Sequence, residues 1–189
     1  TLFAAHWLPQ GQPEQDVCNA IVICADSFVV PYAYRKYGNI HDLPDEGNGF
    51  WVRVTIASAG ILTFELRPNN PEDHYSVLVF SSNIDCNNIS ASQKIRGVSS
   101  IPSLSGKAFL NPLSPTPSHQ VIHAAAGDSY LMLIKGCGGE TGFMDCFPPE
   151  GFTIDFTGST ATFVKGNPPQ LDSTELKCPT RRRVVLDFS

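Results

Sequence analysis

The chain has 189 residues and a net charge of −5 at pH 7, a balance that argues against nucleic acid or an anionic membrane as its natural partner. Its length suits one sizeable domain, and 15 Gly, 15 Pro and 12 Phe with only 16% charged residues suit many short strands joined by tight turns. No window of helical length sustains an apolar stripe at i, i+3, i+4, so the expected fold is all-β: an antiparallel β-sandwich, jelly-roll-like, of about eight strands.

In chain order, residues 1–15 form a polar and aromatic lead-in, 16–165 the sandwich domain, and 166–189 a linker with the possible start of a following domain. The chain begins abruptly at Thr1 and stops at the strand-like run Val184-Val185-Leu186-Asp187-Phe188, which suggests a piece cut from a longer precursor. No signal peptide or membrane span is visible, and the one basic run, Arg181-Arg182-Arg183, fits a linker or an edge strand. Six cysteines without zinc-ligand spacing, together with the sequon Asn88-Ile89-Ser90, point to an oxidising compartment. Within Asp16 to Val30, Cys18 and Cys24 would lie roughly 20 Å apart on one strand, at ~3.3 Å per residue. A disulfide needs Cα atoms within about 7 Å, so either the segment turns back or each cysteine has a remote partner.

The centre of the pattern is Phe50 to Phe80. Val52, Val54 and Ile56 alternate with Arg53 and Thr55, and Leu62, Phe64 and Leu66 alternate with Thr63, Glu65 and Arg67, the period of half-buried strands. This predicts a hairpin with Val54 facing Phe64, Arg53 opposite Glu65 and Trp51 opposite Arg67 on the wet side, turning through Ala57 to Ile61 with Gly60 at a positive φ. Tyr75 to Phe80 is apolar on both parities and predicts a central strand covered on both faces.

Ser81 to Ser105 reads as a long loop with one strand at Lys94 to Val98, and the three prolines of Asn111 to Ser118 make that stretch a surface crossover. Val121 to Ala125 is a short strand, and Gly127-Asp128 turns the chain into a second covered strand at Ser129 to Lys135. Cys137 and Cys146 bracket one loop and are the expected local disulfide. Phe152, Ile154 and Phe156 should point inward, Gly158 to Thr160 turn, and Ala161 to Val164 return.

The chemistry-bearing motifs are few. The chain has no Gly-x-Ser-x-Gly elbow, no His-Glu-x-x-His, no phosphate-cradling loop and no Cys-x-x-Cys. A Cys or Ser with His6, His41, His74, His119 or His123 is a combination any chain of this size supplies, so the expectation is no enzyme. Glu72, Asp73, Asp42, Asp45 and Asp85 are the candidate oxygen ligands for calcium, the only cofactor expected, although none shows the dense D-x-D-x-D spacing of a calcium loop. Trp7, Tyr32, Tyr34, Tyr37 and Trp51 are the candidate aromatic platform for a sugar ring or a peptide.

The motifs Asp16-x-Cys18-x-Ala20-x-x-x-Cys24, the run Trp51 to Pro68, and the ending Gly151 to Ala161, GFTIDFTGSTA, resemble a β-sandwich domain repeated in large surface proteins of Bacteroidota. Those proteins are commonly exported by the type IX secretion system, and some are gliding-motility adhesins. The domain is similar in outline to PPC and CUB-like jelly rolls. The family often carries an R-C-N motif where this chain has Arg96-Gly97-Val98, so Cys86 lacks its usual neighbour. The resemblance implies a non-catalytic, secreted or surface-anchored domain that binds a glycan or a protein, with the other domains of its precursor and the secretion machinery as partners. It also supports calcium, and it implies O-glycosylation at Ser173 within Asp172-Ser173-Thr174. Two other roles fit the same residues: a purely structural or secretion-associated spacer, and an accessory domain of a secreted peptidase or glycosidase.

Overall fold

In the computed structural model, residues 11–31, 34, 38, 43, 47–99, 107–137 and 150–164 are described. Among them the only helical pieces are three-residue 3₁₀ turns, such as Pro13–Gln15, Val17–Asn19 and Cys86–Asn88. The strands are β1 (Ile21–Ile23), β2 (Ser27–Val30), β3 (Gly49–Ser58), β4 (Gly60–Leu62), β5 (Glu65–Pro68), β6 (His74–Phe80), β7 (Lys94–Ser99), β8 (Ala108–Phe109), β9 (Ile122–Ala124), β10 (Ser129–Cys137), β11 (Phe152–Asp155) and β12 (Thr162–Phe163).

Their pairing is that of one long hairpin rolled upon itself. β6 pairs β7, β5 pairs β8, β4 pairs β9, β3 pairs β10 and β2 pairs β11, each antiparallel and each nested outside the one before. Rolling this ribbon closes it laterally: β10 also pairs β6, and β11 also pairs β5. The result is a large sheet running β3-β10-β6-β7 and a small sheet β2-β11-β5-β8, the strand order of a jelly roll, and the two sheets pack as a sandwich. Two additions sit on the outer edge of β3. β1 runs parallel to Val52–Val54, and β12 pairs antiparallel beyond it at Ile56 and Ser58. Together they cover a strand edge that would otherwise offer free backbone groups.

Period-two alternation explains the core. Val52, Val54, Ile56, Leu62, Phe64, Leu66, Phe152, Ile154 and Phe156, the nine expected inner positions, are each no more than 3% exposed. Tyr75, Val77 and Val79 of β6 and Tyr130, Met132 and Ile134 of β10 fill the same layer. Both β6 and β10 are interior strands covered on both faces, as their continuous apolar runs predict.

The expected hairpin between Val54 and Phe64 does not form. β3 pairs β1 and β10, while β5 crosses to the small sheet, so Arg53 lies beside Leu131 rather than Glu65. Glu65 instead meets Arg67 and Lys107, and Arg67 reaches Asp155 at 3.1 Å. The physical reason is that alternation sets which face a side chain takes but not which strand lies alongside. Gly60, without a positive φ, serves another purpose: a Cβ there would stand 2.5 Å from the Ala161 nitrogen, so glycine lets two corners pass closely. Likewise the stretch after Thr160 returns to β3 of the opposite sheet and not to β11.

Trp51 shares the outer parity of Arg53, yet it is fully buried. Val17, Ala20 and Leu43 from one side, with Ile84, Cys86 and Ile89 from the other, cover Trp51, Phe80, Leu131 and Leu133 on the outer face of the large sheet. A disulfide joins the two sides, Cys18 to Cys86. Cys18 and Cys24 therefore have separate partners, since Cys24 is disulfide-bonded as well.

Candidate functional site

Strand polarity sorts the connections between the two ends of the sandwich. The C-termini of β2, β5, β7 and β10 and the N-termini of β3, β6, β8 and β11 lie at one end, as the registers Val30↔Phe152, Phe152↔Pro68, Lys135↔Gly49 and Ser76↔Ser99 show. The connections β2–β3, β5–β6, β7–β8 and β10–β11 therefore all leave from and return to that end. Asp42, Asp45, Tyr32 and Tyr37 belong to the first and Cys146 to the last, and these, with Trp7 and Ser173, lie outside the described residues. The side chain of Cys137 lies outside them too, so the expected Cys137–Cys146 bridge does not fall on the described part of the molecule.

A tier of rings floors this end. Tyr34 stacks on Phe50 at 4.4 Å, Phe50 on Phe152 at 5.8 Å, and Phe152 meets Tyr75 edge-on at 5.0 Å. The outermost hydroxyls are both engaged. Tyr34 donates to Glu14 Oε1 at 2.7 Å and Tyr75 donates to the Glu150 carbonyl at 2.6 Å. Burial pushes both phenols far above their ordinary range, and the Glu14 carboxylate adds to the effect on Tyr34. Of the expected aromatic platform, Tyr34 at 7% exposure and Trp51 at 0% are thus core residues rather than surface ones. Trp51 is buried because the outer face of the large sheet is covered, and Tyr34 because its ring joins the layer between the sheets against Phe50.

Asp73 is the notable carboxylate here. It sits between Pro71-Glu72 and β6, is 2% exposed, and its Oδ2 accepts the Glu150 N–H at 2.6 Å. Burial raises its pKa from 3.8 to about 6, only partly offset by that hydrogen bond. Asn69 donates to the Gly151 carbonyl at 2.8 Å, so residues 69–75 and 150–151 are stitched at three points. Glu72 is exposed beside Asp73, its N–H turned to Asn70 Oδ1 at 3.1 Å.

Asp85 is not part of this group. It lies past the far end of β6, whose seven residues span about 20 Å. There it caps the turn Cys86–Asn88, accepting the Asn87 N–H at 3.0 Å and the Asn88 amide at 2.8 Å, bonds that lower its pKa. Among the described residues no three His, Cys, Asp or Glu side chains come together as a metal site. His74 starts β6, and His119 and His123 are exposed on the β8–β9 connection and β9.

Sequence reasoning missed Glu14, Gln15 and Glu150. Gln15 is 1% exposed, accepts the N–H groups of Gly11 and Gln12, and donates to the Gly49 carbonyl at 3.3 Å, so the described end of the lead-in is tied to β3. A weak signal was present in the Pro13-Glu14-Gln15 turn start, but its partner is 34 residues away.

The fold and this end define a disulfide-bonded jelly-roll sandwich with its two longest connections, β2–β3 and β10–β11, on the same side. No family model matches the chain significantly, and neither does any curated protein or any solved structure. No helix among the described residues is long and apolar enough to cross a membrane.

Proposed function

We propose that this chain is a non-catalytic ligand-binding module of a secreted or surface-anchored bacterial protein, recognising a glycan or a protein through the end of the sandwich formed by the β2–β3, β5–β6, β7–β8 and β10–β11 connections. The observation that carries this reading is the rolled topology, which brings four connections to one end above a rigid aromatic floor. Loops held on a rigid sandwich are where binding residues are placed most readily. The Cys18–Cys86 disulfide supports an oxidising, extracellular setting, and the resemblance of the chain's motifs to those of Bacteroidota surface proteins is in keeping with it.

Calcium is part of the proposal. Glu72 and Asp73 lie on the β5–β6 connection and are the first ligands to test, whereas Asp85 is at the opposite end. A glycan array probed in calcium and in EDTA tests the reading. Binding that needs the folded domain supports it, and silence across glycans in both conditions supports a structural spacer instead. Melting temperatures in the same two buffers test the cation separately. At a hundredfold excess over its dissociation constant calcium should add about 2.7 kcal/mol, and an unchanged melting temperature would remove calcium from the account.

A further inference from the structure

The cover over Trp51 is built from two separate straps. One is the 3₁₀ turn Val17–Asn19, which presses Val17 and Ala20 on the large sheet and is anchored upstream by Gln15 on Gly49. The other is the connection from β6 to β7, which presses Ile84 and Ile89 on the same face. Its neck is fixed by Asn83, whose backbone N–H donates to the Ser129 carbonyl at 2.9 Å while its side chain accepts the Ser129 N–H at 3.1 Å, and by Ser81 donating to the Gln93 carbonyl at 2.9 Å. Beyond those anchors the straps meet through Cys18–Cys86, with Cys18 exposed and Cys86 half-buried. Beneath lie Trp51, Phe80, Leu131 and Leu133, a cluster distinct from the layer between the sheets.

We propose that the Cys18–Cys86 bridge is a solvent-open redox latch: its reduction by a dithiol releases the two straps and uncovers the apolar outer face of the large sheet while the sandwich stays folded. In the exchange a dithiol's thiolate attacks Cys18 Sγ, the Cys18–Cys86 bond breaks, and Cys86 leaves as a thiolate that takes up a proton. The reductant's second thiol then attacks its own sulfur in the mixed disulfide and frees Cys18, so the dithiol becomes a disulfide and the protein gains two electrons and two protons. The sandwich is expected to survive because its own core, from Val54 to Ile154, makes no use of either strap. Each strap holds the sheet through a few apolar side chains, Val17 and Ala20 on one and Ile84 and Ile89 on the other, and the cross-link between them spans 68 residues of sequence, so it is expected to supply much of what keeps the straps down.

The test uses the full chain in a Trp7→Phe background, so that Trp51 alone reports, compared with the same chain carrying Cys18→Ser and Cys86→Ser, which isolates this bridge from the other disulfides. Dithiothreitol is the probe, and mass spectrometry confirms which bridge is open. The latch predicts a red shift of Trp51 emission in the reduced and double-serine proteins. It also predicts amide exchange faster by about tenfold or more in residues 16–20 and 84–92, with protection kept in β3, β6 and β10. Unchanged emission and exchange with the bridge open would overturn the latch. So would simultaneous loss of protection in β3, β6 and β10, because the bridge would then hold the whole fold and not its cover.

Discussion

Asp73 shows how one residue couples the fold to pH. Its folded pKa of about 6 lies above the unfolded value of 3.8 because burial penalises the carboxylate. The folded chain therefore keeps the proton longer, so the stability linked to Asp73 is complete below about pH 4 and lost as pH rises through 6. Two units correspond to at most about 3 kcal/mol. Asp85, Asp128 and Asp155, whose pKa values are lowered by backbone N–H groups, act in the opposite sense, so the difference between variants is the useful measure. Asp73→Asn, which still accepts the Glu150 N–H, should flatten urea stability between pH 4 and 7 relative to the parent; identical pH profiles would show that Asp73 is not shielded from water. Neighbouring residues separate core from surface as sharply. Phe64, 3% exposed against Phe156, should cost ~3–5 kcal/mol when cut to alanine. Thr63→Ala loses one hydrogen bond, to the Leu110 carbonyl, and should cost about 1 kcal/mol. Equal shifts in the denaturation midpoint would mean that the two faces are interchanged.

Among the elements, β3 carries the most constraints: it pairs β10 along its length, and its other edge is shared by β1 and β12. The corner after it depends on Gly60, where a Cβ would press on the backbone of Thr160 and Ala161, 2.5 Å from the Ala161 nitrogen. Gly60→Ala should therefore cost ~1–3 kcal/mol through overpacking. Gly127 makes the turn before β10 at φ +88, and an added methyl there would meet nothing within 4 Å, so Gly127→Ala should cost only about 1 kcal/mol of backbone strain. Chemical denaturation of the two variants checks this, and a larger loss at Gly127 would mean that the corner is looser than its geometry. The strands themselves were legible in the sequence where alternation ran long, as in β3, or where a run was apolar on both parities, as in β6 and β10. The short β1, β8 and β12, of two or three residues, carry too few positions to show a period.

For the whole molecule, the nested pairing makes folding depend on remote contacts, and such folds close in milliseconds to seconds. The innermost pair, β6 with β7, closes the smallest loop, and each outer pair is cheaper once the one inside it exists. Val98→Ala, opposite Val77 in that inner pair, should mainly slow folding, whereas Ile154→Val, in the outer pair of β2 with β11, should mainly speed unfolding; stopped-flow chevrons showing the reverse would mean that the roll nucleates from its outside. The sequence by itself determined the all-β class, the inner-face residues and the covered strands β6 and β10, because alternation and apolar runs act within a few residues. Only the tertiary structure decided that Val54 faces Tyr130 rather than Phe64, that Trp51 and Tyr34 are buried, that Asp85 and Asp73 stand at opposite ends, and that Cys18 meets Cys86. Each of these depends on which distant strand arrives alongside, a choice made by closing the roll and burying both faces of the large sheet at once, which no local pattern encodes.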